Sequence, residues 1–294
     1  MKVKFLFVLI VLTVLSTSAQ DKELIYENDS LSIFDSYISI NSSDNLFPKK
    51  YKNGIIYSSK YKSEYYDLYY SNLKSAPIKL KIGSKYNYGG AAIFNNEIYF
   101  SGNDRLMHMN NNTNHLIYKA LINDLKLTKY RVLTFCKRNF SYEYPAISKD
   151  GLRMVVVTNE RGRNHLLELI RNENNVWERN KVVFISQSKA EFLNPTYYDE
   201  NTIYFSSNMI AEEDRFGLKF MNGSWVKVKT KLEESIFDIY KVTRINGIWS
   251  LPVKVPKFNS EFDDLGVEFI DENSGYISTY RFSNTDNFYY FKLK

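Results

Sequence analysis

Short apolar segments separated by polar turns recur along the chain, and five pairs of them share one order. Each pair begins with a small residue or proline, continues as an apolar strand, turns, and returns as a second strand that ends in a small residue, usually Ser or Thr. The turns contain Asn, Asp or Gly, the residue types that tight β-hairpins require. The pattern therefore predicts five hairpins, at residues 48–59, 91–102, 145–158, 195–207 and 267–279.

A third strand is predicted after each hairpin, and a fourth after the first four. The third strands are predicted at residues 67–70, 116–119, 166–169, 238–241 and 288–291, and the fourth strands at 78–82, 130–135, 176–184 and 248–255. Repeated units of four antiparallel strands are typical of propeller blades. We therefore predict an all-β, five-bladed β-propeller of four-stranded antiparallel blades. A β-sandwich of irregular hairpins is the alternative, but sandwiches do not repeat one strand order five times.

The fifth unit reaches the chain end, Lys294, after its third strand, and the missing strand has a donor near the other terminus. Residues 31–40 precede the segment NSSDNLFP, just as the fourth strand of unit four precedes NSEFDDLGV. We predict that this N-terminal strand completes the last blade and closes the ring, which removes an exposed sheet edge. A six-bladed ring is the alternative, in which residues 216–229 of the long fourth unit form a blade of their own.

The composition supports a packed β-protein. Apolar residues make up 44% of the chain and charged residues 24%, which excludes wholesale disorder. The chain holds 24 Tyr and 20 Phe, residues that suit half-buried strands. The formal net charge is +6, but no three basic residues are consecutive, so we predict no nucleic-acid partner.

Residues 1–19 have the features of a cleaved signal peptide. Lys2 and Lys4 precede an apolar run at residues 5–15, and small residues follow at 17–19. The run is shorter than the roughly 20 residues that span a bilayer, and no later segment is apolar enough, so we predict no membrane-spanning segment after cleavage. We expect an exported protein that is periplasmic, outer-membrane-associated or secreted, with residues 20–294 as one propeller domain. A transmembrane anchor is the alternative.

Cysteine and histidine provide few metal ligands. Cys136 is the only cysteine, so the chain has no internal disulfide, and three scattered histidines (His108, His115 and His165) do not complete a structural zinc site. No contiguous Asp-x-Asp-x-Asp loop indicates calcium. We predict no metal and no cofactor.

Three segments carry a family resemblance: residues 194–208 (NPTYYDENTIYFSSN), 238–264 (DIYKVTRINGIWSLPVKVPKFNSEFDD) and 144–162 (YPAISKDGLRMVVVTNERG). They resemble the TolB-type, WD40-like (PD40) propeller repeat of exported proteins from bacteria that use type IX secretion. Such propellers often precede an OmpA-like domain that binds peptidoglycan, and this chain ends without one. The resemblance implies a binding or scaffold role with an envelope protein partner. It implies the fold more firmly than the function, because one fold hosts many functions.

Two regions are candidates for binding. The segment 209–237 lengthens unit four and is predicted to form a hairpin about Asn222-Gly223, with Phe216 and Trp225 as exposed anchors. A tolerated surface elaboration is the alternative.

The second region consists of the residues that stand four positions before each predicted hairpin: Asp44, Asn87, Ser141, Glu191 and Asp263. If the first strand of each hairpin is innermost in its blade, these five residues form a ring at one mouth of the central channel. Glu143 and Asp264 then lie nearby. We predict that Asp44, Asn87, Glu191 and Asp263 bind a ligand, a cation or a basic segment of a partner. The alternative is that they hydrogen-bond the loop backbone.

Catalysis is the third hypothesis, since glycoside hydrolases also use five-bladed propellers. They need two carboxylates that flank the scissile bond, and Glu143, Glu191, Asp263 and Asp44 are the candidates. The chain has no Gly-x-Ser-x-Gly elbow and no glycine-rich phosphate loop. We therefore favour a non-catalytic binding module that mediates protein–protein interaction, with a carbohydrate-active propeller, either hydrolase or glycan-binding, as the alternative.

Overall fold

The computed structural model describes residues 22–36, 38, 43–82, 88–103, 114–186, 189–209, 216–221, 224–229 and 236–294. In residues 216–221 and 225–229 it describes the backbone alone. This part of the chain is almost entirely β-strand, with one 3-10 turn at Pro256–Phe258. None of its helices is long and apolar enough to cross a membrane. The predicted signal peptide lies outside the described residues.

The described residues form 24 strands. Numbered along the chain, they are β1 (Leu24–Glu27), β2 (Leu31–Phe34), β3 (Asn45–Tyr51), β4 (Gly54–Ser59), β5 (Asp67–Ser71), β6 (Ile78–Lys79), β7 (Tyr88–Phe94), β8 (Glu97–Gly102), β9 (Leu116–Asn123), β10 (Lys126–Val132), β11 (Tyr142–Ile147), β12 (Arg153–Thr158), β13 (His165–Arg171), β14 (Trp177–Ile185), β15 (Phe192–Asp199), β16 (Thr202–Ser207), β17 (Phe216–Met221), β18 (Ser224–Lys229), β19 (Asp238–Ile245), β20 (Ile248–Trp249), β21 (Val253–Lys254), β22 (Asp264–Phe269), β23 (Ser274–Thr279) and β24 (Asn287–Leu293).

The strands assemble into five antiparallel blades. From the inside outwards, these are β3-β4-β5-β6, β7-β8-β9-β10, β11-β12-β13-β14, β15-β16-β19 with β20 and β21 both on β19, and β22-β23-β24-β2-β1. The first strands β3, β7, β11, β15 and β22 contact one another in a closed ring. The predicted five-bladed propeller is therefore confirmed. The six-bladed alternative is wrong, because β17 and β18 pair only with each other, as a separate two-stranded sheet.

The N-terminal strand closes the ring as predicted. β2 pairs with β24, so that Leu31 lies opposite Leu293 and Ile33 opposite Phe291. Both Leu31 and Ile33 are fully buried. The strand ends at Phe34, short of the predicted residue 40. β1 adds a fifth strand that was not predicted; all four of its residues are exposed, so no alternating pattern marks it.

Each inner strand begins three residues earlier than predicted. The cause is a β-bulge that interrupts its pairing with the second strand, for example between Leu46 and Lys49 and between Glu143 and Ala146. Pro48 lies within the first of these bulges, where a missing N–H breaks no ladder bond. As a result, the five residues aligned from the sequence directly precede the inner strands.

The fourth strands depart furthest from prediction. β6 is two residues long, and β10 starts four residues earlier than predicted. The predicted strand 248–255 is broken into β20 and β21. Pro252 lies between these two pieces, and proline cannot donate to a sheet ladder.

Apolar clusters hold neighbouring blades together. Among the described residues there is one such cluster at each of the five seams and a sixth in the central channel. Largely buried ion pairs reinforce three seams: Glu97 with Arg171, Glu168 with Arg244, and Glu268 with Lys49. The blades are therefore fixed relative to one another, which makes the end of the channel a rigid surface.

Candidate functional site

Backbone hydrogen bonds between blades define one mouth of the channel. In four of the blades, the backbone N–H of the first residue of the inner strand donates a hydrogen bond to the preceding blade. The acceptor is the carbonyl of the residue just before the third strand of the preceding blade. The four bonds are Asn45 N to Asp286 O (2.8 Å), Tyr88 N to Tyr66 O (2.9 Å), Tyr142 N to His115 O (2.9 Å) and Asp264 N to Phe237 O (2.8 Å). The residues before the inner strands therefore lie at one end of the ring, beside a second ring of residues that precede the third strands.

Three aspartates lie close together at the seam between the last and first blades. Asp44 Oδ2 accepts a hydrogen bond from Tyr66 Oη (3.0 Å) and pairs with Lys60 Nζ (3.1 Å). Asp263 Oδ1 accepts from the Phe237 N–H (2.8 Å). Burial and, to a smaller extent, the negative charges of Asp44 and Asp263 together raise the pKa of Asp286 to about 6. This closing seam therefore concentrates negative charge.

The neighbouring Asp264 has a structural role. It is fully buried, and its carboxylate accepts from Arg281 Nε (2.9 Å), Thr279 Oγ1 (2.7 Å) and the Ser260 N–H (2.7 Å). These bonds satisfy the carboxylate within blade five. The sequence placed Asp264 near the mouth but could not show that its hydrogen bonds are already made.

A polar cavity of about 260 Å³ lies between blades three and four at the same mouth. Its lining includes Ser141, Glu143 and Glu191, all noted in the sequence at this mouth. His115 Nδ1 lies 2.6 Å from Glu143 Oε1. The backbone of Glu191 is held by Asn208 Oδ1, which accepts from its N–H (2.8 Å), and by Ser207 Oγ, which donates to its carbonyl. The Glu191 carboxylate has no hydrogen-bond or ion-pair partner within the described part of the chain.

Apolar side chains line the part of the channel next to the mouth. Leu46, Phe47 and Leu265 form a buried cluster in the inner strands, and Tyr144 packs against it. The rings of Phe47 and Tyr144 meet edge to face with centroids 5.2 Å apart. A Cβ at Gly90 would lie 3.0 Å from Tyr144 Cδ1, so glycine makes room for this ring. The mouth is therefore a closed basin with an apolar floor.

Not all predicted site residues can be placed. Asn87 lies outside the described residues. The hairpin predicted in segment 209–237 is present as β17 and β18, with Phe216 opposite Lys229 and Phe220 opposite Trp225. The side chains of Phe216 and Trp225 are not described, so their role as anchors stays a prediction.

Sequence reasoning missed Asp286. It directly precedes β24, the third strand of its blade, just as four other residues directly precede the third strands of theirs. Aligning the units at the third strand would have found this ring, whose members are Tyr66, His115, Asn164, Phe237 and Asp286.

The described part of the mouth carries five carboxylates. The carboxylates divide into two groups, with Asp44, Asp263 and Asp286 at the closing seam and Glu143 and Glu191 at the cavity between blades three and four. Among the described residues, no group of three or more His, Cys, Asp or Glu side chains is arranged to hold a metal ion.

Comparison with known proteins gives structural similarity only. No protein-family model and no curated protein matches the chain. A solved structure of a TolB-type protein from Agrobacterium tumefaciens is 13% identical, covers 93% of this chain and 86% of its own, and has a TM-score of 0.46. The PQQ-bound aldose sugar dehydrogenase from Streptomyces coelicolor is 10% identical, with 90% and 98% covered and a TM-score of 0.49.

A puromycin-hydrolysing peptidase from Mycobacterium tuberculosis is 14% identical and covers 88% of this chain, with a TM-score of 0.45. This chain spans 38% of the peptidase's length. The five-bladed architecture therefore rests on the strand pairing of the chain itself.

Proposed function

We propose that this propeller is a non-catalytic binding module of the cell envelope, and that its acidic mouth binds a basic segment of a protein partner. The observation that carries the proposal is the convergence of carboxylates from four blades on one end of the ring. They are Asp44, Glu143, Glu191, Asp263 and Asp286. Within the described residues, their ion-pair partners are Lys60 and His115.

The acidic mouth contrasts with the rest of the molecule. Residues 20–294 have a formal net charge of +4, because the +6 of the whole chain includes Lys2 and Lys4, so the surface away from the mouth is basic on balance. A cationic segment is attracted to the mouth and repelled elsewhere, which favours one docking site and speeds association. The rigid ring and the apolar floor also lower the entropy cost of binding, because little has to be ordered.

The second part of the proposal concerns the location of the protein and its partner. The features of residues 1–19 support export to the periplasm, the outer membrane or the outside of the cell, and the resemblance to TolB-type repeats favours an envelope protein of bacteria that use type IX secretion. The partner is then another envelope protein. A glycan is the alternative ligand, and binding of the purified protein to a polysaccharide array would favour it.

The test is a triple substitution, Asp44→Asn, Glu191→Gln and Asp263→Asn. We expect it to melt within a few degrees of the unmodified protein, because each amide keeps an acceptor and the exposed pair of Asp44 with Lys60 contributes at most about 1 kcal/mol. Capture of the partner from the envelope fraction should fall at least tenfold at low salt, where the lost charges are least screened.

The control is a second triple variant, Glu173→Gln, Glu178→Gln and Glu272→Gln. These three glutamates are exposed and lie away from the mouth, and the variant changes the net charge by the same amount. Capture should be unchanged in this control. Equal recovery of the partner by both variants would rule out the acidic mouth as the binding surface.

A further inference from the structure

Two carboxylates give the cavity between blades three and four negatively charged hydrogen-bond acceptors. Glu143 and Glu191 contribute carboxylates, and one oxygen of Glu143 faces His115 Nδ1. Two donors in the lining are already used: the Ser141 hydroxyl donates to Asn114 Oδ1 (3.3 Å) and the Asn164 amide to the Ala190 carbonyl (3.4 Å). These carboxylates favour a cationic ligand that carries N–H donors.

Thr158 gives an independent indication of a ligand. It lines the cavity at the end of β12 and is only 1% exposed. Its hydroxyl is buried and has no hydrogen-bond partner among the described residues. Buried hydroxyls are nearly always hydrogen-bonded, because leaving one unpaired is costly. A donor brought by a ligand would satisfy this oxygen.

The lining also contains apolar and aromatic residues. Tyr144, Val157 and Leu193 line the cavity, whereas Phe192 lines it with its ring buried in the seam. An arginine side chain has an apolar stem that packs on such surface and a guanidinium that stacks on aromatic rings. The guanidinium carries five N–H donors and no acceptor, whereas lysine has three donors on a more strongly hydrated ammonium.

We propose that this cavity is an arginine-binding site, in which Glu191 and Glu143 accept from the guanidinium and Thr158 accepts one further N–H. The inference rests on the proposed function, since it names the side chain that the mouth selects in the partner's basic segment. The carboxylates of the closing seam then attract the segment without contacting this arginine.

The test uses the chain from residue 20 and three small probes, N-acetyl-arginine amide, its neutral isostere N-acetyl-citrulline amide, and N-acetyl-lysine amide, titrated by ligand-observed NMR. For one side chain we expect a dissociation constant on the order of 1 mM for the arginine probe. The citrulline probe should bind at least tenfold more weakly, and the lysine probe should fall between the two. Equal binding of arginine and citrulline would overturn the proposal.

Variants locate the site. Glu191→Gln should weaken binding of the arginine probe about tenfold, and Thr158→Val should weaken it a few-fold without lowering the melting temperature, since the hydroxyl has no partner to lose. Glu173→Gln, in an exposed turn at the opposite end of blade three, is the matched control and should leave binding unchanged. Unchanged probe binding in Glu191→Gln would place the site elsewhere.

The two proposals fail in different ways. If the arginine probe does not bind but the triple variant loses its partner, the mouth is the binding surface and the arginine site is wrong. If the probe binds at Glu191 but the triple variant retains its partner, the arginine site is real and the partner docks elsewhere.

Discussion

A chain that starts at residue 36 should not unfold cooperatively, whereas a chain that starts at residue 29 should melt like one that starts at residue 20. The first truncation removes β2, so β24 loses its outer neighbour and the ring is no longer closed. Leu31 and Ile33 are 0% exposed, and loss of two such side chains costs more than about 5 kcal/mol, comparable to the whole stability of many domains. The bare edge of β24 also invites aggregation.

The second truncation is the control. It removes β1, whose four residues are exposed and which pairs only with β2, but it keeps the closing strand. Thermal melting followed by circular dichroism, with light scattering recorded in parallel, distinguishes the two. Cooperative melting of the chain from residue 36 at an unchanged temperature would contradict closure by β2.

Glu168→Ala should lower the free energy of unfolding by about 3–5 kcal/mol, as expected when one partner of a buried ion pair is removed. Glu168 is completely buried, with one oxygen 3.3 Å from Arg244 across the seam and the other accepting from Asn180 Nδ2 (2.7 Å). The substitution leaves the largely buried guanidinium of Arg244 without its carboxylate. Urea unfolding measures the loss.

Two controls separate charge from packing. Glu178→Ala, on an exposed position of the same blade, should change stability by no more than about 0.5 kcal/mol. The double variant Glu168→Met and Arg244→Met should be more stable than Glu168→Ala, because the buried guanidinium of Arg244 is removed and the volume is kept. Arg153, 3.6 Å from Glu168, also loses its partner, but its side chain is 31% exposed to water. A loss below about 1 kcal/mol for Glu168→Ala would show that the pair does not hold blades three and four together.

The ring architecture could be predicted because it is a periodic property of the chain. Five hairpins with the same order of strands are sufficient to define five blades, and the repeated segment before Asp44 and before Asp263 identifies the closing strand. The strand ends could not be predicted, because each inner strand passes through a bulge. Phe47 and Tyr144 take left-handed backbone conformations there, which their residue types do not signal.

The mouth could be predicted only in part. Asp44, Glu191 and Asp263 follow from the alignment of the units, but their partners do not. The Asp263 side chain accepts a hydrogen bond from a backbone N–H, as expected if these residues only stabilise their loops. Asp44 instead pairs with Lys60. The Glu191 carboxylate has no hydrogen bond or ion pair among the described residues. These differences depend on where neighbouring loops lie. The cavity likewise needs residues of two blades and two loops, and no sequence pattern brings them together.

Site-specific photo-crosslinking tests the binding mouth most directly. A photoreactive residue at position 284, in the exposed mouth loop before Asp286, is compared with one at position 272, in the exposed turn at the opposite end of the same blade. A third, at position 225, tests the insert. If the acidic mouth binds the partner, we expect one envelope protein to crosslink at position 284 and not at position 272. Crosslinking of that partner at 272 or 225, with none at 284, would contradict it.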